Sequence, residues 1–564
     1  MAHNSAVTER LTQQHGETLE QALAAIRKRD YWSAYPESPS PRVYGEHAAA
    51  DGEAAFRQRL GEPWGGQTPG AAGVVATERS PYGLELGVRY PRVASDGLDE
   101  LLEAARRGMG DWRAAGPQAR AAVCQEVLAR LHARVFELAH AVQHTSGQAF
   151  VMAFQAGGTH ALDRALEALA YGFDQQTLHP ATALWEKPGR GEPVRMDKTF
   201  TPVPRGVGLV VGCNTFPTWN SWPGLFASLV CGNAVVVKPH PRAVLPLAMT
   251  VEACREVLTE AGFDADLVTL AAEAEGDGLA AELAVRPEVR LVDFTGSNAF
   301  GSWLEEHATQ ATVFTEKAGV NTVIIDSTAD FSAMCDNLAF SLALYTGQMC
   351  TAPQNLLVPA DGFDTDDGHK SYDEVAAGIG AALDRLLGDD KSAVELLGAV
   401  VSDAVLARLD AAADGGTGRV LVESRAIEHP AWPQATVRTP LLLGLSVADV
   451  QTYGQECFGP VAYLIATPST VDSLVAFVRT VESVGAMTAA VYSTSDDVLA
   501  DARDAALDVG VALSENLTGA VFVNQSAAFS DFHGTGANPA ATASYTDAAF
   551  VASRFRIVQS RRPA

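Results

Sequence analysis

Paired cysteines are missing from this chain. Its seven cysteines, Cys124, Cys213, Cys231, Cys254, Cys335, Cys350 and Cys457, are scattered, odd in number and include no Cys-x-x-Cys pair. That argues against a disulfide framework and against a metal site of the zinc type, and it fits a reducing compartment. Basic residues are scarce: 41 Lys and Arg face 68 Asp and Glu, a net charge of -27. A surface of that sign repels phosphate backbones, so no nucleic-acid partner is expected. Long apolar runs are also lacking. Leu225 to Val237 is broken by Ser228, Gly232 and Asn233, and Met1 to Arg29 is polar and charged with no apolar h-region. Neither a signal peptide nor a membrane span is expected, and the chain reads as cytoplasmic with no membrane partner. The Gly-x-Gly-x-x-Gly fingerprint is absent after the first strand, because Gly206, Gly208 and Gly212 have the wrong spacing. A dinucleotide, if one binds, is held by other means.

What is present is 564 residues with an ordinary apolar fraction of 47%. That length suits roughly two to four domains with ample cores. One helix is expected from about Leu19 to Lys28, with Thr18 and Gln21 as a capping box. Tyr31 to Tyr90 mixes proline, glycine and aromatics without period and reads as irregular. Helical spacing returns after Ser95, then from about Gln118 to His140 and Ser146 to Tyr171. Gly191 to Pro204 is polar, alternating and proline-punctuated, an extended excursion. From Val207 to His307, short apolar strands alternate with helices, which predicts a parallel sheet covered on both faces, with ligands at the C-terminal strand ends. A second α/β section runs from about Val320 to Tyr492.

Chemistry can be sought at five places. Leu344 to Ala352 sets Cys350 after a Gly-Gln turn, and Glu316 precedes Gly319 upstream. Phe294-Thr295-Gly296-Ser297 closes a strand and opens a helix, where backbone N–H groups suit a pyrophosphate. Lys238 stands at the end of the strand Ala234 to Val237, within reach of a ribose or phosphate. Asn214 leaves the first strand just ahead of Pro217, where an amide could hold an oxyanion. Glu456 to Val461 is a turn into a strand. Each feature also has an ordinary structural reading: Ser297 as a helix cap, Lys238 as a solvated loop lysine, Asn214 as a turn residue.

Their order and spacing together resemble the aldehyde dehydrogenase superfamily, from about Thr201 to Asn524 and more loosely from Ser95 to the end. Gln348-Met349-Cys350 is similar to that family's nucleophile motif, and Glu316-Lys317-Ala318-Gly319 to its general-base motif. Gly212 to Pro217 resembles the loop carrying its oxyanion asparagine, here Asn214. Lys238-Pro239 resembles its cofactor-ribose lysine, Gly296 and Ser297 its pyrophosphate turn, and Glu456 with Phe458 its nicotinamide-ribose motif. The Asn-Thr-Phe-Pro-Thr-Trp-Asn wording and the long N-terminal arm look most like the phenylacetate-degradation members, without their hydratase domain.

The resemblance implies an α/β fold with a Rossmann-type cofactor domain (95–190 and 203–319), a catalytic domain (320–530) and a β oligomerisation arm (191–202 and 531–564), after an irregular arm over 1–94. It implies NAD(P)-dependent oxidation of a small-molecule aldehyde through a cysteine thiohemiacetal and thioester, by a homodimer or homotetramer. A semialdehyde of phenylacetate breakdown, carried as a CoA thioester, is the implied substrate. A CoA-acylating enzyme and a non-catalytic binding protein are the alternatives. Three departures stand out. Thr215 is an extra residue after Asn214. Pro241 replaces the glutamate that many members place three residues after the cofactor lysine, with Arg242 beside it, which favours NADP over NAD because a cation attracts a 2′-phosphate. His533-Gly534-Thr535-Gly536 stands where the family's late Pro-Phe-Gly-Gly motif would be.

Overall fold

The computed structural model describes residues 2–317, 319–414 and 416–564, with side chains from residue 6 onward. Ala318 of the general-base motif lies outside the described residues.

Five parallel strands form the first sheet: β1 (Val207–Val211), β2 (Ala234–Lys238), β3 (Val268–Leu270), β4 (Val289–Gly296) and β5 (Thr312–Lys317). Their order is β3-β2-β1-β4-β5. All residues of β1 and β2 are buried, which is why these strands read as continuous apolar runs rather than alternating ones. Successive crossovers run from β1 outward to β3, and the chain then returns to the other side of β1 as β4. The reversal creates a crevice beyond the C-terminal ends of β1 and β4, the place where ligands sit on open parallel sheets. The loop starting at Gly212 and the turn at Ser297 both open there.

The second sheet has seven strands: β6 (Asn321–Ile325), β7 (Pro353–Pro359), β8 (Arg419–Val422), β9 (Leu441–Ser446), β10 (Val461–Thr467), β11 (Ala489–Tyr492) and β12 (Leu513–Glu515). The order is β8-β9-β10-β7-β6-β11-β12, and only the edge pair β8 and β9 is antiparallel. A third, antiparallel sheet joins Thr182–Lys187, Val194–Pro204 and Phe555–Pro563, so the last strand pairs with residues some 350 positions earlier, Phe555 opposite Pro204.

The N-terminal region departs from the irregular arm expected of it. A helix spans Ala2–Lys28, running through the expected capping box at Thr18 without a break, and a second spans Ala48–Arg59. Leu11, Leu19, Ala22, Ala25 and Ile26 are buried. The larger of these side chains each contribute ~1.5–3 kcal/mol. The polar remainder hid that stripe in the sequence. The helix expected over Gln118 to His140 is two, Gly116–Ala133 and Val135–Ser146, and the next begins at Phe150 and contains a π-turn at Gln155–Thr159. There Gly157 and Gly158 let the backbone lie against Val142 and Val135, where a Cβ would come within 2.8 and 2.7 Å. Among the described residues, no helix is long and apolar enough to cross a membrane.

Candidate active site

The loop that carries Cys350 leaves the helix Phe331–Ala343 through three successive residues of positive φ: Tyr345 (51°), Thr346 (54°) and Gly347 (63°). Left-handed backbone at two non-glycine residues costs ~1–3 kcal/mol each and persists only where neighbours hold it. Here they do. The buried Tyr345 hydroxyl donates to the Ser146 carbonyl, and the Thr346 hydroxyl donates to the Leu397 carbonyl at 2.8 Å. Gly347 has no room for a side chain, since a Cβ would lie 2.6 Å from the Gly459 carbonyl oxygen. The fully buried Gln348 amide donates to the Ala399 carbonyl (3.1 Å) and accepts from the Val401 N–H (2.8 Å). Beyond the cysteine, the Asn321 amide donates to the carbonyls of Cys350 (2.8 Å) and Ala352 (2.9 Å) and accepts from the Met487 N–H (2.9 Å). The thiol is therefore fixed from both sides of its loop.

Cys350 is half-buried, whereas Cys124, Cys213, Cys231, Cys254 and Cys335 are buried. Burial, and then the charge of Glu316, push its thiol well above the usual range. Glu316 lies near the end of β5 and is 2% exposed. Burial by itself would raise its carboxyl. The neighbouring His533 and hydrogen bonds from His533, Cys350 and Asn220 outweigh that, and the net direction is downward. Glu316 is thus a buried carboxylate, and the adjacent thiol meets its negative charge when it ionises.

Two residues at this centre were not assigned to it from the sequence. The Asn220 amide, one turn into the helix Pro217–Val230, donates to Glu316 Oε2 at 2.8 Å. The His533 Nε2 lies 3.1 Å from Glu316 Oε1 and 3.6 Å from Cys350 Sγ, and its Nδ1 is 3.4 Å from the Ser526 hydroxyl. The Trp219 ring packs edge-on against the imidazole at 4.5 Å. His533 had been marked as a departure from the family's late motif, not as a neighbour of the thiol. Asn220 is the one amide side chain in the largely apolar helix Pro217–Val230, the signal by which it could have been found.

Asn214, the expected oxyanion donor, is directed elsewhere: its amide donates to the Thr145 carbonyl at 2.9 Å. Lys238, at the end of β2, is buried and ion-paired with Glu273. Arg242 is not the isolated cation on which the NADP expectation rested, because its guanidinium meets Glu275 at 3.0 Å. Gly296 ends β4, and a Cβ there would come 2.7 Å from the Phe294 ring. Ser297 caps the helix Asn298–His307, its hydroxyl accepting from the Phe300 N–H. Glu456 and Phe458 line a narrow cleft with Gly319, Asn321 and Met349, directly beside the cysteine loop. Burial raises the Glu456 carboxyl to about 7, against the opposing pull of Arg408.

A half-exposed cysteine on a strained loop, beside a buried carboxylate that lies near the end of a parallel strand, defines a thiol-dependent α/β enzyme. The chain belongs to the aldehyde dehydrogenase family, whose model matches residues 73–530, and it is an oxidoreductase of that class. Over 98% of its length it superposes on 99% of the crystal structure of an NAD-dependent aldehyde dehydrogenase from Burkholderia multivorans, with a TM-score of 0.96 and 57% identity. It is 27% identical over 422 residues to the N-succinylglutamate 5-semialdehyde dehydrogenase of Paraburkholderia xenovorans (strain LB400), covering 73% of this chain and 80% of that one. The fold also matches a 1-pyrroline-5-carboxylate dehydrogenase from Thermus with bound NAD, at a TM-score of 0.73 and 19% identity over 95% of this chain and 99% of that one.

Proposed function

We propose that this enzyme oxidises an aldehyde with an apolar or aromatic body to the free carboxylic acid, using NAD. The observation that carries the reaction type is the contact of Cys350 with Glu316 and His533 within one enclosed cluster. In this reading the Cys350 thiolate attacks the aldehyde carbon, because the thiolate rather than the thiol is the nucleophile. The Asn214 amide is engaged by the Thr145 carbonyl in this structure, so its expected part in holding the oxyanion would require it to turn towards the thiol. Oxidation of the thiohemiacetal leaves a thioester on Cys350. Glu316, held as a carboxylate, takes a proton from the water that hydrolyses it.

The residues at the crevice fit a dinucleotide. Lys238 and Ser297 stand at the C-terminal ends of β2 and β4, the two strands that flank β1, and Glu456 fronts the cleft beside the thiol loop. Lys238 would meet the adenosine ribose, the N–H groups after Ser297 the pyrophosphate, and Glu456 the nicotinamide ribose, with Phe458 packed near the ring. The bound dinucleotide supplies the hydride acceptor. Glu275 beside Arg242 and Glu273 beside Lys238 disfavour an added 2′-phosphate, which with the NAD-dependent relative moves our reading from NADP to NAD.

The substrate reading rests on the walls around the thiol. Met487, Ala540 and Ala541 pack on Cys350 from one side, and Phe216, Trp219 and Met349 belong to the apolar cluster on the other. The test is an aldehyde panel with each cofactor: aromatic aldehydes, free semialdehydes, and the CoA-linked semialdehyde that phenylacetate breakdown suggests. Higher kcat/KM with NAD and an apolar aldehyde is the expected result. Better efficiency with NADP would overturn the cofactor reading, and a requirement for free CoA in turnover would favour the acylating reaction.

We also infer that copies pair through the antiparallel sheet of 182–204 and 555–563. Leu184, Val194, Ile557 and Val558 are exposed there, from 41% to 60%. Light scattering on a chain lacking 555–564 is expected to give a smaller assembly than the full chain.

A further inference from the structure

The proposed reaction gives roles to the sulfur and the carboxylate at the centre of the site, but none to the imidazole beside them. Cys350 Sγ, His533 Nε2 and Glu316 Oε1 all lie within 4.8 Å of one another. The Sγ to Nε2 separation is 3.6 Å, and Nε2 to Oε1 is 3.1 Å. Around a tetrahedral zinc ion, with ~2.3 Å to sulfur and ~2.0–2.2 Å to nitrogen and oxygen, adjacent ligand atoms stand about 3.3–3.6 Å apart. The two edges that meet at Nε2 are already close to those values, and the third is within 4.8 Å.

The surroundings are those a metal site needs. A ligating histidine commonly donates its other ring N–H to an outer partner, and a ligating carboxylate is itself hydrogen-bonded. Ser526 Oγ stands 3.4 Å from His533 Nδ1, which turns Nε2 towards the sulfur. Asn220 engages Glu316 Oε2, which leaves Oε1 for the centre of the cluster. Trp219 packs on the imidazole and restrains it.

We propose that Cys350, His533 and Glu316 form a reversible inhibitory site for Zn2+. One thiolate, one imidazole and one carboxylate make a borderline-soft donor set that suits Zn2+ and rejects Mg2+ and Ca2+. Three protein ligands leave a fourth position for water. Binding forms the Sγ–Zn and Nε2–Zn bonds as the thiol proton passes to solvent and the ring proton facing Glu316 leaves Nε2, moving to Nδ1 beside Ser526 or to solvent; no electrons change hands. The metal takes the sulfur needed for attack and the carboxylate oxygen needed for deacylation, so a loaded enzyme is silent and its thiol is shielded until a chelator restores it. A cysteine without paired partners thus acquires a metal-binding role through a histidine 183 positions away.

The test is a titration of the full-length enzyme with Zn2+ against a chromophoric chelator, with iodoacetamide labelling of Cys350 as a second readout. Neither depends on turnover. The wild type is expected to bind one Zn2+ per chain and to lose Cys350 labelling when loaded. His533→Gln is expected to weaken binding more than tenfold while its thiol still labels without metal, which also shows that the loop is intact. Ser526→Ala, which keeps all three ligands, is expected to weaken it by roughly 10-fold. Loading with Co2+ is expected to give a thiolate-to-cobalt absorption band that Cys350→Ser lacks. Unchanged Zn2+ affinity in His533→Gln, or labelling of Cys350 at full rate in the presence of saturating Zn2+, would overturn the proposal.

Discussion

Two buried carboxylates on neighbouring strands of the first sheet each meet a cation-capable residue from the end of the chain, and they are built differently. Asp293, on β4, receives both terminal nitrogens of Arg554 at 2.8 and 2.5 Å. That guanidinium also bonds the Ser228 hydroxyl and lies 4.1 Å from the ring centres of both Phe314 and Phe550, with none of it exposed. Gly224 closes over the pair so tightly that a Cβ would sit 2.4 Å from the Asp293 carboxyl carbon. Glu316, on β5, has instead a single contact with an imidazole, an amide on its other oxygen, and a reactive thiol alongside. Arginine cannot give up its charge and presents a fork that locks a carboxylate. Histidine has no such fork and meets each neighbour through one ring nitrogen. The first pair anchors the tail, while the second sets a carboxylate beside a thiol.

Mutations should separate the two. The largest effect is expected from Cys350→Ala, which should reduce aldehyde-dependent NADH formation to background and leave the thermal transition in place. Normal turnover in that variant would remove Cys350 from the mechanism. Glu316→Gln should lower steady-state turnover by about 10²–10⁴-fold, the usual worth of a general base, while rapid mixing still shows a first-turnover burst as acyl-enzyme accumulates. Arg554→Met should act on stability. Removing one partner of a buried pair costs about 3–5 kcal/mol, readable as a lowered denaturation midpoint. The double variant Arg554→Met with Asp293→Leu should recover part of that loss, since no unpaired charge is left. If Arg554→Met instead lowered kcat with no change in midpoint, the anchor reading would fail.

The smallest expected effect concerns pH. Glu456 is raised from its ordinary value of 4.5 to about 7 by burial. As pH falls through 7 it takes up a proton and stops being an anionic acceptor for a ribose, so KM for NAD should rise by a few fold between pH 8 and 6. Its contribution to stability has the opposite sign. The folded state binds more protons than the unfolded one between pH 4.5 and 7, so this group favours folding more as the pH falls. Glu456→Gln should flatten both trends, and an unchanged pH profile of KM in that variant would show that another group titrates.

The alternation of strands and helices from Val207 to His307 is legible because β1 and β2, buried on both faces, are short and almost wholly apolar and are separated by helical spacing. Cys350, Glu316, Lys238 and Ser297 can be named as candidates from the sequence because their motifs keep local spacing. The remaining features arise from contacts at long range. His533 reaches Glu316 across 217 positions and Asn220 reaches it across 96, so no window of sequence holds either pair. The partnering of Arg242 by Glu275 was equally invisible, and it altered the cofactor reading. Of the helix Ala2–Lys28 only the part from about Leu19 is expected from the sequence, because the buried positions before it are few and widely spaced.

The anchoring of the cysteine loop has a bearing on folding. Tyr345, Thr346, Gln348 and Asn321 tie it to carbonyls or N–H groups at Ser146, Leu397, Ala399, Val401 and Met487. These belong to separate stretches that converge only once both large sheets are in place. A left-handed turn of this length has little reason to survive before then. The thiol therefore reports on completion of assembly, and its labelling rate during refolding should reach the native value only in the last phase.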